Sequence, residues 1–249
     1  MKNILKRNYI VCTLLLLVGC TKYTTGVTDT NTVTTPTTTT TVIPPKIKFF
    51  NVMDYGATNV YLNSKQVTSV AKYYASTYFT AVAGANSIKI TFADNSTTLL
   101  DVSHTLANNT SYSCFFYKVG NEWKSNVIKD DLPTTIATGF AALRVLDFRT
   151  EAYFNYINVR LVCPGFDIID QKNRNFLDHT TYDGYTKFST VGSGSYSIYM
   201  YNDTITSSYR KGVTIDSKGI YSVVLTTPTS ITPYTNAIYY IFPDVVKHN

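Results

Sequence analysis

Ser87-Ile88-Lys89-Ile90-Thr91-Phe92 is the stretch from which the fold is read. Apolar and polar residues alternate, so a strand sets Ile88, Ile90 and Phe92 on one face and Lys89 and Thr91 on the other. Asp94-Asn95-Ser96 follows as a turn. Gly84 stands three residues before Ser87, and the same spacing returns in Gly194-x-x-Ser197-Ile198. Phe79-x-x-Val82 returns as Phe188-x-x-Val191, and Ile47-Lys48-Phe49-Phe50-Asn51 as Leu143-Arg144-Val145-Leu146-Asp147. Leu106 with Tyr112-Ser113 returns as Ile215 with Tyr221-Ser222. Anchors in one order predict a duplication. The offset grows by about 14 residues between Leu143 and Gly194, which puts extra chain in the second copy.

Residues 46–133 and 139–249 are the two expected copies, joined by a link that starts at Asp130-Asp131-Leu132-Pro133. Ser113–Val119 and Trp123–Ile128 read as a hairpin around Gly120-Asn121. No stretch after residue 45 shows a convincing helical period. About seven short strands per copy, with turns every ~8–12 residues, match the rhythm of an immunoglobulin-like sandwich. Leu106 and Tyr112, and Ile215 and Tyr221, resemble tyrosine corners, in which the hydroxyl bonds backbone a few residues upstream. With 21 tyrosines, 14% aromatic and only 15% charged residues, the composition agrees with an all-β chain. The expected fold is two tandem immunoglobulin-like β-sandwich domains.

The Ile47–Asn51 and Leu143–Asp147 strands, the Val-x-Gly turn, the Tyr112 and Tyr221 strands and Asp130-Asp131-Leu132-Pro133 resemble the domain-of-unknown-function family 4397. The resemblance spans about residues 46–245. It implies tandem β-sandwiches on a bacterial cell-envelope lipoprotein and brings no catalytic residues. Where that family commonly has Ser-Pro-Asp-Ala-Pro after the first strand, this chain has Met53-Asp54-Tyr55-Gly56 and Phe148-Arg149-Thr150-Glu151.

Residues 1–19 read as a signal peptide, with a basic start at Lys2, Lys6 and Arg7 and an apolar run from Tyr9 to Val18 that is too short to span a bilayer as a helix. Leu17-Val18-Gly19-Cys20 resembles the bacterial lipobox, which implies cleavage before Cys20 and lipidation of its thiol. Acyl chains at ~0.8 kcal/mol per buried CH₂ give stable anchoring. The residue after Cys20 is Thr21, not the aspartate of inner-membrane retention, so the outer membrane is expected and either leaflet is open. Removing the peptide lowers the net charge from +6 by three and leaves no basic cluster for nucleic acid. Residues 20–45 are about half threonine and read as a disordered tether from the lipid, since they have almost nothing to bury.

The search for chemistry finds few candidates. His104, His179 and His248 are scattered, and Asp178-His179 on a strand point to opposite faces. Asp167, Asp170, Asp178 and Asp183 share one segment without the ordered calcium loop, so a solvated loop is expected and no metal. Gly192-Ser193-Gly194 lacks the nucleophile-elbow spacing, and neither a P-loop nor a dinucleotide fingerprint appears. Cys114 and Cys163 remain after processing, either as a disulfide or as two buried thiols. Trp123, Tyr199 and Tyr201 are the candidate ligand-binding aromatics, since outward tyrosines on one strand suit stacking on sugar rings. Asp203-Thr204-Ile205 resembles an O-glycosylation motif at Thr204. These residues predict a non-enzymatic envelope lipoprotein without cofactor, its stalk presenting two sandwiches to a glycan or an envelope protein partner. Glycan capture in a nutrient-uptake system and a fimbrial or adhesin subunit are the other readings.

Overall fold

The alternation at Ser87–Phe92 forms the second half of one long strand, and the repeat around it folds strand for strand. The computed structural model describes residues 41–53, 55–149, 156–163, 169–202, 205–226 and 242–248. The signal peptide, Cys20, Asp167 and Thr204 lie outside these residues. The first repeat holds β1 (Lys46–Asn51), β2 (Thr58–Leu62), β3 (Lys65–Val70), β4 (Phe79–Thr80), β5 (Gly84–Phe92), β6 (Thr98–Leu106), β7 (Ser111–Val119) and β8 (Glu122–Asp130). The second holds β9 (Phe140–Asp147), β10 (Ile157–Val162), β11 (Ile169–Arg174), β12 (Ser189–Gly192), β13 (Gly194–Asn202), β14 (Ile205–Ile215), β15 (Ile220–Thr226) and β16 (Phe242–Lys247).

Each repeat makes two four-stranded sheets. Their orders are β4-β1-β7-β8 and β3-β2-β5-β6, then β12-β9-β15-β16 and β11-β10-β13-β14, the same pattern eight strands on. The all-β, duplicated fold is as expected, but among the described residues each repeat has eight strands rather than about seven. Its connectivity also departs from the immunoglobulin order, in which the first strand lies beside the second. Here β1 lies between β4 and β7, and its ladder to β7 is parallel, from Lys46 opposite Ser111 to Asn51 opposite Phe116. β9 and β15 repeat that parallel pairing. The additional residues of the second repeat are not one insertion. They lengthen the β9–β10, β10–β11 and β11–β12 connections.

One core fills each sandwich. Ile47 and Phe49 from β1, Val60 from β2, Ile88 and Ile90 from β5, and Cys114 and Phe116 from β7 belong to the first. Leu143 and Val145, Val159 and Leu161, Ile198 and Met200, and Val223 belong to the second. Phe92 is only half-buried, because the β5–β6 register slips after Ile90 and turns Thr91 inward instead. Leu146, Phe148 and Val224 of the second repeat join the first core cluster. The outer faces of the β1–β7 and β9–β15 sheets therefore pack on each other. β1 and β9 are buried on both faces, Lys48 and Arg144 included, so their burial is continuous rather than alternating. Residues 41–249 form one compact unit. Ile43 and Asn109 exchange hydrogen bonds of 2.7 and 2.9 Å, so the last residues of the expected tether already dock on the first repeat.

Candidate functional site

Both expected tyrosine corners form. The Tyr112 hydroxyl accepts from the Ala107 N–H at 3.0 Å, and the Tyr221 hydroxyl accepts from the Asp216 N–H at 3.1 Å. Each fixes the loop entering its repeat's seventh strand. The serines that follow them, Ser113 and Ser222, face the seam between the repeats.

There the polar side chains close into a ring. Arg144 Nη2 meets Asp130 Oδ1 at 2.6 Å, with both side chains fully buried. Ser113 Oγ donates to Asp130 Oδ2 at 2.7 Å, and Arg144 Nε donates to Ser222 Oγ at 2.8 Å. Ser222 Oγ lies 2.8 Å from His248 Nε2, and His248 Nδ1 lies 3.0 Å from the Tyr78 hydroxyl. The Tyr78 hydroxyl donates to Asp130 Oδ2 at 2.8 Å, which closes the circuit. Hydrogen-bond consistency assigns the His248 proton to Nδ1, so that Nε2 accepts from Ser222. Burial, with Arg144 and Lys48 nearby, pushes the His248 pKa down to about 2 and keeps the ring neutral. The same burial raises the Tyr78 hydroxyl pKa, and Asp130 adds to the rise. Lys48 donates to the Lys247 carbonyl at 2.8 Å, and burial lowers its pKa to about 8. The Ser–His–Tyr–Asp order resembles a nucleophile relay. Ser222 is 0% exposed and His248 4% exposed, so a substrate carbonyl has no approach to them here. The ring locks the repeats together.

The long β11–β12 connection crosses the same seam as two 3-10 turns, Asp178–Thr180 and Asp183–Thr186. Its aspartates are not gathered around a cation. Asp178 pairs with Arg174 at 2.5 Å, Asp183 with Lys187 at 3.7 Å and Asp170 with Lys172 at 3.4 Å. No metal-ligating group of three is found among the described residues. His179 is buried against the Phe148 ring at 4.9 Å, and that burial lowers its pKa to about 4. This segment straps the second repeat onto Asn126 of β8 through His179, at 3.5 Å.

The other sequence candidates separate. Cys114 and Cys163 are buried in different cores, and no disulfide joins them. Burial pushes the Cys114 thiol up to about 12. Trp123 is half-buried between Tyr55 and Phe92, with the Lys118 ammonium 5.9 Å from its ring centroid. Tyr199 carries Arg210 at 5.6 Å and Tyr201 carries Lys172 at 4.7 Å. A cation of the chain thus lies over each ring proposed for stacking. His104 is a half-buried strand residue bonded to Ser125 at 2.9 Å.

The site that sequence reading missed is a groove of about 730 Å³ between the repeats. One wall is the Ala71–Ser76 turn, with Lys72, Tyr73 and Tyr74. The other is Lys211 and Val213 of β14 with Val245 and Lys247 of β16. The turn is held on the end of β1. Tyr73 N–H donates to the Asn51 carbonyl at 2.8 Å, and the Asn51 N–H donates back to the Tyr74 carbonyl at 3.0 Å. Tyr73 takes a left-handed φ of 62°, which bends the chain so that Tyr74 is left 68% exposed. The local signal was the Lys72-Tyr73-Tyr74 run, but its opposite wall lies far along the chain.

No curated protein matches the chain. Among solved structures, CBMbc (family CBM26) from Eubacterium rectale Amy13K, crystallised in complex with maltoheptaose, aligns at 12% identity over 78% of this chain and 97% of its own. Its TM-score is 0.25, so the likeness carries no argument about the site. A family model, by contrast, covers the whole first repeat and β9: residues 45–154 match the domain of unknown function DUF4397, the family that the strand and turn motifs resemble.

Proposed function

We propose that this chain is an envelope lipoprotein, held to the outer membrane by lipid on Cys20, and a non-catalytic binding module. The groove between its repeats is the binding site. The carrying observation is that the groove takes one wall from each repeat, while the buried Arg144–Asp130 ring beneath fixes those walls in register. A preformed concave site of this size, with apolar surface and a few polar groups, is where ligands bind. The lipobox and the threonine-rich sequence after it support the anchor reading, because a stretch with so little to bury suits a spacer between lipid and module.

The anchor is tested by labelled palmitate fed to cells expressing the full chain or Cys20→Ser. Label on the natural chain alone supports it, and equal label on both overturns it. The binding reading is tested on the full chain in detergent against an array of neutral and acidic glycans. A signal removed by Val213→Arg, which fills the groove, supports the reading. No signal, or one that Val213→Arg leaves intact, overturns it.

A further inference from the structure

We infer that the groove takes an uncharged polysaccharide, held by ring faces rather than by charge; this rests on the binding-module reading above. The opening is particular to one half of the seam. Tyr73 and Leu177 hold the same station in the two repeats. Both have a left-handed φ, 62° and 53°. Both donate the backbone N–H to the last residue of their repeat's first strand, Tyr73 to Asn51 at 2.8 Å and Leu177 to Asp147 at 2.9 Å. Beyond Leu177 the long strap runs over to β8. Beyond Tyr73 the chain reaches β4 in fewer residues. The matching place beside β16 is left open among the described residues. Its walls are pinned to each other. The turn continues into Tyr78 and the β16 wall into His248, and those two side chains meet at 3.0 Å. Lys48 ties them again, its ammonium 4.8 Å from the Tyr78 ring centroid and 2.8 Å from the Lys247 carbonyl. A fixed width favours a ligand that is itself stiff, as linked pyranose rings are, because little ordering is lost on binding.

The lining selects against charge. No acidic side chain lines the groove among the described residues. Its lysines are engaged within the chain. The Lys72 ammonium lies 5.8 Å from the Tyr73 ring centroid, Lys247 pairs with Asp216 at 3.2 Å, and Lys211 has a partner of its own. An acidic polymer would have to displace those partners. Strand addition by a peptide is blunted along β16, where Pro243 has no N–H and Lys48 takes the Lys247 carbonyl. Val213, Val245 and Ala75 offer apolar surface suited to the C–H faces of pyranose rings. The Tyr74 ring supplies an exposed stacking surface at the rim. Neutral sugar rings cover both surfaces and keep their hydroxyls at the wet edge of the groove.

The experiment uses the full chain in detergent, with dextran, mannan and galactan as neutral probes and polygalacturonate as the acidic one. At least one neutral polymer binds. Raising salt from about 50 to about 500 mM leaves its affinity unchanged, since there is no ionic contact to screen. Tyr74→Ala weakens it about tenfold, in the range of an aromatic anchor. Tyr74→Phe, which keeps the ring, retains it. Polygalacturonate bound more tightly than every neutral polymer and released by salt overturns the inference while leaving the binding reading in place. So does neutral binding that Val213→Arg removes and Tyr74→Ala leaves intact. Binding indifferent to both substitutions, or a failure of every probe, overturns both. Retained melting temperature in each variant separates lost contact from lost fold.

Discussion

The Arg144–Asp130 pair is fully buried in the seam, and its two charges were taken out of water at a cost of several kcal/mol per ion. Removing one partner leaves the other uncompensated. Asp130→Asn or Arg144→Met is expected to destabilise the protein by about 3–5 kcal/mol in urea titrations, whereas the double change to Leu and Met recovers much of that loss. The histidines set the acid limb of stability. His248 and His179 are held neutral in the fold, with pKa values pushed to about 2 and about 4, against 6.5 when unfolded. Below about pH 6.5 the unfolded chain binds these protons first, so stability falls as pH falls through the window from 6.5 towards 4. Burial opposes protonation of both rings; Arg144 and Lys48 add to it at His248, while at His179 Asp178 and Asp147 work against it and Arg174 and Arg144 with it. Melting temperatures from pH 7.5 to 4.5 are expected to decline more gently in His248→Gln, and an unchanged slope rules this account out. At this scale the sequence was informative where partners are close in the chain. Tyr112 and Tyr221 bond five residues upstream, and their spacing announced it. Trp123, Tyr199 and Tyr201 were legible as aromatics, but not as rings covered by Lys118, Arg210 and Lys172, since two of those cations arrive from neighbouring strands.

Among the elements, the tyrosine corners and the β11–β12 strap do different work. A corner hydroxyl satisfies a backbone N–H that loop geometry leaves otherwise unmatched. Tyr112→Phe and Tyr221→Phe are each expected to cost about 1–2 kcal/mol, near the upper range for a lost hydrogen bond with a stranded donor. Denaturant midpoints that do not move would remove the corners from the account. Phe148, just past β9, packs on Phe115 and Tyr117 of the first repeat, stacked on Phe115 at 4.6 Å, and the strap covers it with His179. Phe148→Ala is expected to cost about 3–5 kcal/mol through the cavity it opens. Strand alternation made β5, the β7–β8 hairpin and the duplication readable. The parallel β1–β7 pairing was not, because residues in register there are about 65 apart in sequence, and nothing local marks the partner.

The whole molecule shares apolar surface and one buried polar ring across the seam, so the repeats are expected to unfold together. Calorimetry should give a single transition with matching calorimetric and van't Hoff enthalpies. Two separated transitions would mean that the seam contributes little. An isolated first repeat, ending at residue 133, would expose Phe50, Phe115 and Tyr117 and lose Arg144 from Asp130. The groove belongs to this scale as well: Tyr74 and Val213 are some 140 residues apart in the chain, so only the docked repeats make it. One consequence concerns mechanical load. The tether enters β1 at Lys46, while the groove's turn is hydrogen-bonded to the far end of the same strand at Asn51. In the anchored module proposed above, a ligand at that turn and lipid beyond Lys46 pull on the two ends of β1. Such a load runs along the covalent backbone of β1 and crosses to the turn at the Asn51–Tyr73 and Asn51–Tyr74 hydrogen bonds. The hold on anything seated at that turn is then as firm as the few bonds that pin it to β1.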